Sequence, residues 1–313
     1  MMALAMILFF TSALLAPRRA LTAPVACVVT TFRWPATPDA PKVQARRNVA
    51  RMFRRLEPHI HAFLGVSHAS ANEIALWRAE GHTRVLYGIE SNAHGTPLLR
   101  SLLQRAERAC PASASFIAFA NADLLLDTSL VHTLQRLLAW PPKNLVVVGQ
   151  RLNLDVQRYD DAELLYATPD GFRLNTTHAT PFRGDAQDYF VFSRPLLADA
   201  WPMPDFVIGR IAYDNAVVDW AYHHACLVDA TATITAVHQS TRDGNAASHS
   251  MDKADRTYNL QLPGVVFDHA FVGFARYETA PGRAPNAIEI VDRTDDLVPL
   301  PSVRAYLSGG AIL

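Results

Sequence analysis

Over the first 150 residues, short apolar runs alternate with stretches of helical period. Residues 25–31, VACVVTT, are a continuous β-branched run and predict a buried first strand. A proline-punctuated loop, FRWPATPDAP, follows. Across residues 42–58, Ala45, Val49, Met52, Phe53 and Leu56 recur at helical spacing. Arg46, Arg47, Arg51, Arg54 and Arg55 take the remaining surface, which reads as a solvated basic face ahead of a phosphate site. Residues 59–66 alternate and predict a second strand, with His59 and His61 on one face. Ser70-Ala71-Asn72-Glu73 has the form of a capping box, opening a short helix that Gly81 stops.

A third strand is expected over residues 83–89. Thr96 as N-cap and Pro97 at the first helical position then start a helix, with Leu98, Leu99, Leu102, Leu103 and Ala106 inward. Residues 116–120, FIAFA, predict a fourth strand that ends in Asn121-Ala122-Asp123, with a helical pattern after it. Leu130, Leu134, Leu137 and Leu138 mark that helix, and Pro141-Pro142 stop it. Residues 144–149 predict a fifth strand. Strands alternating with helices imply one α/β domain with a mostly parallel central sheet and helices on both faces.

The second half is less regular. Residues 151–180 read as polar loop with a hairpin, 188–193 (DYFVFS) as a strong short strand, and 201–205 as a rigid loop. A helix from about Asp214 to His224 and a strand over 227–237, ending at His238-Gln239, follow. Beyond Leu262 the pattern is loop-like, a tail over 263–313 expected to pack on the core or to be partly disordered.

Composition adds bounds. Half of the 313 residues are apolar, enough for a sizeable core, and 29 Lys+Arg balance 29 Asp+Glu, which argues against a nucleic-acid partner. Cys27, Cys110 and Cys226 form no CxxC pair and each sits beside a predicted element, so buried free thiols are expected. The N-terminal run MALAMILFFTSALLA, 15 residues long, suits a signal peptide or short membrane anchor over 1–24. It implies the secretory pathway, with the Golgi membrane as one location; the alternative is a cytoplasmic protein. The absence of GxGxxG after the first strand, and of GxxxxGK[ST], GxSxG and HExxH, removes the dinucleotide, P-loop, hydrolase and zincin readings.

A carboxylate at the carboxyl end of a central strand stands where open α/β sheets place ligands. Asp123 is such a residue and a candidate metal ligand; a helix N-cap is its simpler role, which Asp127 could also fill. His238, ending a strand-like run, is a second candidate ligand. Asp214 is a candidate base, or only the N-cap of its helix. Asp185 and Asp188 could bond sugar hydroxyls, and Arg210 could pair a phosphate or Asp214. His223 and His224 are adjacent on a helix and point about 100° apart, which suits no single metal.

Five segments in order carry a resemblance: Glu90/Asn92/Gly95-Thr96-Pro97, Asn121-Ala122-Asp123, Asp188 to Phe192, Phe206/Gly209-Arg210/Asp214-Asn215 and His238-Gln239. With these the chain, over residues 25–262, resembles GT-A-type (nucleotide-diphospho-sugar transferase) glycosyltransferases related to family 2. The resemblance implies a single GT-A-like, Rossmann-like domain that transfers a sugar from a nucleotide-diphosphate donor to a glycan or other hydroxyl acceptor, with Mn2+ or Mg2+. It implies donor contacts at Thr30, Thr31, Phe32, Glu90, Asn121, Asp123 and Arg210, metal ligands at Asp123 and His238, and Asp214 as the base. Asn-Ala-Asp holds one carboxylate where a D-x-D motif holds two. A non-catalytic nucleotide-sugar or glycan-binding protein on the same fold is the alternative.

Overall fold

The computed structural model describes residues 23–32, 41–67, 71–81, 83–155, 164–198, 203–240, 254–284 and 286–294. The apolar run at 2–16 and Ser70 of the capping box lie outside these. Among the described residues no helix is long and apolar enough to cross a membrane.

The first half follows the hydrophobic pattern: β1 (Ala26–Thr30), α1 (Pro41–Leu56), β2 (Ile60–Val66), α2 (Ala71–Ala79), β3 (Val85–Tyr87), α3 (Leu99–Ala109), β4 (Phe116–Ala120), β5 (Leu124–Leu126), α4 (Thr128–Leu138) and β6 (Leu145–Val148). There follow β7 (Leu152–Asp155), β8 (Leu165–Thr168), β9 (Gly171–Leu174), β10 (Thr180–Pro181), β11 (Tyr189–Ser193), α5 (Arg194–Ala198), α6 (Tyr213–His224), β12 (Cys226–Asp229), β13 (Ala236–Ser240), β14 (Tyr277–Pro281) and β15 (Ile288–Asp292). The central sheet has nine strands in the order β15-β14-β12-β6-β11-β4-β1-β2-β3. Only β11 and β15 run antiparallel to their neighbours. The expected α/β architecture with a mostly parallel sheet is therefore present.

The period of two sorts the core. Val28, Phe116, Ala118, Val147 and Val191 face one side, where α1 contributes Met52 and Phe53 and α4 contributes Leu130 and Leu134. Their chain neighbours Cys27, Val29, Ile117, Val146 and Phe190 face the other, against Leu99 and Leu102 of α3 and Val217 of α6. Strands buried on both faces read as unbroken apolar runs because neither face meets water.

Several expectations are corrected. Asp123 does not lead straight into a helix: β5 intervenes, and Asp127 caps α4, its Oδ1 accepting the Ser129 N–H at 2.8 Å. The single strand expected over 227–237 is two. β12 joins the main sheet, and β13 joins a second sheet ordered β10-β7-β13-β5. A turn at 230–235 makes the switch; its alternating alanines and threonines have the pattern of a strand, which hides the turn in the sequence. Thr96 is not an N-cap; α3 begins after Leu98, which makes no side-chain cap. Past Leu262 the chain supplies β14 and β15 to the central sheet, where loop was expected.

Cys27 and Cys110 form a disulfide, against the expectation of free thiols; Cys226 stays free and half-buried. α3 packs back over β1 and brings the two Cα atoms to 6.0 Å, within bridging reach. A sequence separation of 83 carries no trace of that proximity.

Candidate functional site

The sheet changes direction of growth between β1 and β4: β2 and β3 add on one side, β11 and β6 on the other. The crevice beyond the carboxyl ends at such a switch point is where open α/β sheets hold ligands. Four segments converge there. β4 ends in Asn121 and Asp123. β11, running the opposite way, begins just after Asp188. Arg151 leaves the end of β6. β13 brings His238 alongside Leu124 of β5.

The side chains form one connected group. Asn121 takes the Asp188 carbonyl through its own N–H at 2.8 Å and donates Nδ2 to Asp188 Oδ1 at 2.8 Å. Arg151 Nη1 lies 2.6 and 2.5 Å from the two Asp188 oxygens. His238 Nδ1 lies 2.8 Å from Asp188 Oδ2 and 3.6 Å from Asp123 Oδ1. Asp188 and His238 are buried, while Asp123 keeps 44% of its side chain open. Gln239 braces Asp123 from behind: its N–H donates to the Asp123 carbonyl at 3.0 Å. Its side chain donates Nε2 to the Ala45 carbonyl at 2.9 Å and accepts from Asn48 at 2.9 Å, tying the strand end to α1.

The electrostatics follow from this packing. Although part of the Asp123 side chain is open, desolvation by the surrounding protein raises its carboxyl pKa, and the His238 charge opposes that rise. Burial works against protonation of His238, yet Asp123 and Asp188 outweigh it and raise the imidazole above its ordinary value.

Asp214 enters from the other side. Ala212, in the left-handed region at φ 61°, is the N-cap of α6, so Asp214 is a first-turn residue and not the cap. Strain of this kind gathers at functional sites. Burial pushes the Asp214 carboxyl up to about 7, and the charges of Asp188 and Asp185 add to the effect against backbone N–H donors. Its neighbour Tyr213 donates to Asn121 Oδ1 at 2.8 Å, which joins the start of α6 to the end of β4.

The other predicted residues divide. Thr30 is fully buried at the end of β1, with Thr31 and Phe32 half-buried after it. The Phe32 ring lies 6.1 Å from Trp77 and 5.0 Å below the Arg46 guanidinium. Glu90 is exposed, its backbone N–H donating to Ser101 Oγ at 2.9 Å. Arg210 does not pair with Asp214; it donates to Asp255 at 2.5 Å and Thr96 at 2.6 Å. Asp185 pairs with Arg183. Asp188, 3% exposed and committed to Arg151 and His238, is removed from direct contact with a sugar hydroxyl. Arg151, Tyr213 and Asn48 were missed. An arginine three residues past a buried strand was the one signal for Arg151.

Asp123, Asp188 and His238 place ligand atoms within 4.8 Å of one another and could hold a metal ion. Carboxylate oxygen with one imidazole suits a hard to intermediate divalent cation. Asp123 fits that role best, because Arg151 already occupies both oxygens of Asp188; His238 joins it once its Nδ1, which faces Asp123, gives up the bond to Asp188.

The architecture and this site define an α/β protein with a polar, metal-competent crevice at its sheet's switch point. No family model matches the chain, and no curated protein matches it. Among solved structures it is similar to a Desulfovibrio desulfuricans protein assigned as a nucleotide-diphospho-sugar transferase: 12% identity, 76% of this chain and 94% of that one, TM-score 0.40. It is also similar to a Bacillus anthracis protein assigned as a glucose-1-phosphate thymidylyltransferase, at 10% identity, 75% and 99% coverage and TM-score 0.40. HddC from Yersinia pseudotuberculosis matches at 14% identity, 56% and 79% coverage and TM-score 0.32.

Proposed function

We propose that the chain is a glycosyltransferase that moves a sugar from a nucleotide-diphosphate donor to a hydroxyl acceptor such as a glycan. The observation that carries the reading is the meeting of Asp123 and His238, 3.6 Å apart, at the carboxyl end of β4 with Asp214 on the adjoining helix start. Asp123 and His238 would hold Mn2+ or Mg2+, and the cation when bound supplies positive charge to the diphosphate leaving group. Asp188 and Arg151 orient His238. Thr31 and Phe32, in the loop after β1, would contact the nucleotide, a role that the pairing of β1 with β4 supports. Asp214, with a carboxyl that titrates near neutrality, takes the proton from the acceptor hydroxyl; a base is most effective when its pKa lies near the working pH. The Cys27–Cys110 disulfide supports an oxidising, secretory location, with the N-terminal apolar run as leader or anchor.

One observation favours a second reading, a nucleotide-sugar or glycan-binding protein without turnover. Arg151 neutralises the carboxylate that would otherwise serve as a further metal ligand. Calorimetric titration with UDP- and GDP-sugars, with and without Mn2+, beside a donor-hydrolysis assay separates the two. Turnover with Mn2+ supports the transferase, and binding without turnover of any donor or acceptor leaves the second reading.

A further inference from the structure

A second group of ligand-bearing side chains lies on α6 away from the crevice. Asp219 follows Asp214 by five residues, which turns it about 140° around the helix. His223 stands one helical turn further on, and His269 arrives from the segment before β14. The ligand atoms of Asp219, His223 and His269 all lie within 4.8 Å of one another.

We propose that these three residues form a zinc site that clips the His269 segment to α6. His223 Nε2 is 3.9 Å from Asp219 Oδ2, and His269 Nδ1 is 3.7 Å from Asp219 Oδ1. Both separations are too long for hydrogen bonds. His269 Nδ1 is buried and has no hydrogen-bond partner among the described residues. The ligands are nonetheless held in place. Asp219 is 4% exposed in its side chain, and its Oδ1 accepts the His269 backbone N–H at 2.8 Å. The His269 ring is stacked on Tyr222 at 3.9 Å, with Phe274 at 5.1 Å. The His223 and His269 rings stand at 89° with centroids 5.1 Å apart, so both can direct a nitrogen to a shared point without the rings colliding.

Zinc bonds of about 2.0–2.1 Å place tetrahedral ligands about 3.4 Å apart, so the 3.9 and 3.7 Å separations from the two Asp219 oxygens close with about half an ångström or less, and the two histidine nitrogens, within 4.8 Å, with about 1.4 Å at most. Two imidazoles with one carboxylate favour Zn2+ over Mg2+ or Ca2+, whose preferred donors are all oxygen. This chemistry differs from that of the crevice, so the two sites can be told apart by metal.

The test uses the full chain without an affinity tag, stripped with chelator, dialysed and titrated calorimetrically with Zn2+ alone. Asp123→Asn serves as the background that disables the crevice. One equivalent of Zn2+ is expected to bind in that background and to raise the unfolding temperature. His223→Gln and His269→Gln should each weaken it by at least about tenfold. His223 is 43% exposed in its side chain, so its variant is expected to fold, which far-UV circular dichroism checks. Failure of the Asp123→Asn protein to bind Zn2+, or undiminished binding in both histidine variants, overturns the proposal. Neither result bears on sugar transfer.

Discussion

Arg151 Nη1 sits between the two oxygens of Asp188, at 2.6 and 2.5 Å, in a site where both side chains are less than one-tenth exposed. Burial alone would raise the Asp188 carboxyl. The His238 hydrogen bond and the Arg151 charge override it and hold the group below its ordinary value. The pair thus supplies a fixed negative point that aims His238 at Asp123. It is buried, so its removal by halves is costly.

Arg151→Met leaves the buried Asp188 without its guanidinium partner, with only His238 and Asn121 still bonded to it, and should cost up to about 3 kcal/mol of stability in chemical denaturation. Adding Asp188→Asn to that variant should recover part of the loss. The folded Asp188 carboxyl titrates below its unfolded value, so its stabilising contribution is present above about pH 4 and is lost as pH falls through the folded value.

Asp123→Ala should separate chemistry from folding. The side chain is 44% open, and its carboxyl is raised by desolvation, so its loss should change stability by less than about 1 kcal/mol. Donor turnover with Mn2+ should fall by about 100-fold or more. Full turnover in a folded Asp123→Ala protein would sink the transferase reading.

Asp214 should set the pH dependence. A base must be ionised to act, so kcat/KM should rise as pH passes through about 7. Asp214→Asn should remove that limb and lower the rate by roughly 10²–10⁴-fold. The stability sign is the reverse of that for Asp188. With its folded pKa raised, the contribution of Asp214 is fully present below its unfolded pKa and is lost as pH rises through about 7. The urea midpoints of Asp214→Asn and the parent chain should therefore diverge most above pH 7, with the variant the more stable.

Asp255 ties together loops that the chain keeps far apart, accepting from Arg210 at 2.5 Å, Thr96 at 2.5 Å and Asn92 at 2.8 Å. Burial opposes its ionisation, but these donors hold its carboxyl well below the usual carboxylate range. Asp255→Asn should destabilise the protein at pH 7, with the difference shrinking as pH falls below about 4, measured by thermal unfolding.

Cys27→Ser with Cys110→Ser should cost roughly 2–5 kcal/mol, since the bridge closes a long loop of the unfolded chain. The non-reducing mass of the parent chain should show one disulfide, with Cys226 alone available to alkylation after unfolding.

Much of the fold was legible because periodicity reports which faces of an element are buried. The runs at β1, β4, β6 and β11 are apolar on both sides and were readable as central strands. The Asp214 helix was readable from its pattern, but its N-cap was not. Ala212 takes that position in a left-handed conformation that no local residue preference announces. Thr96 misled for the converse reason. Its threonine-proline pair has the form of a helix start, but its hydroxyl is claimed by Asp255, 159 residues away.

By itself, the sequence determined the succession of elements, the two-sided burial of the sheet and the position of Asp123 at the end of a strand. Local hydrophobic period and turn chemistry are enough for that. Only the tertiary structure decided that the run over 227–237 divides between two sheets, that Cys27 meets Cys110, and that Arg151 locks Asp188 while His238 turns to Asp123. Those outcomes depend on which buried surfaces meet across long separations. Hydrophobic pattern encodes that a face is buried, but not what it is buried against.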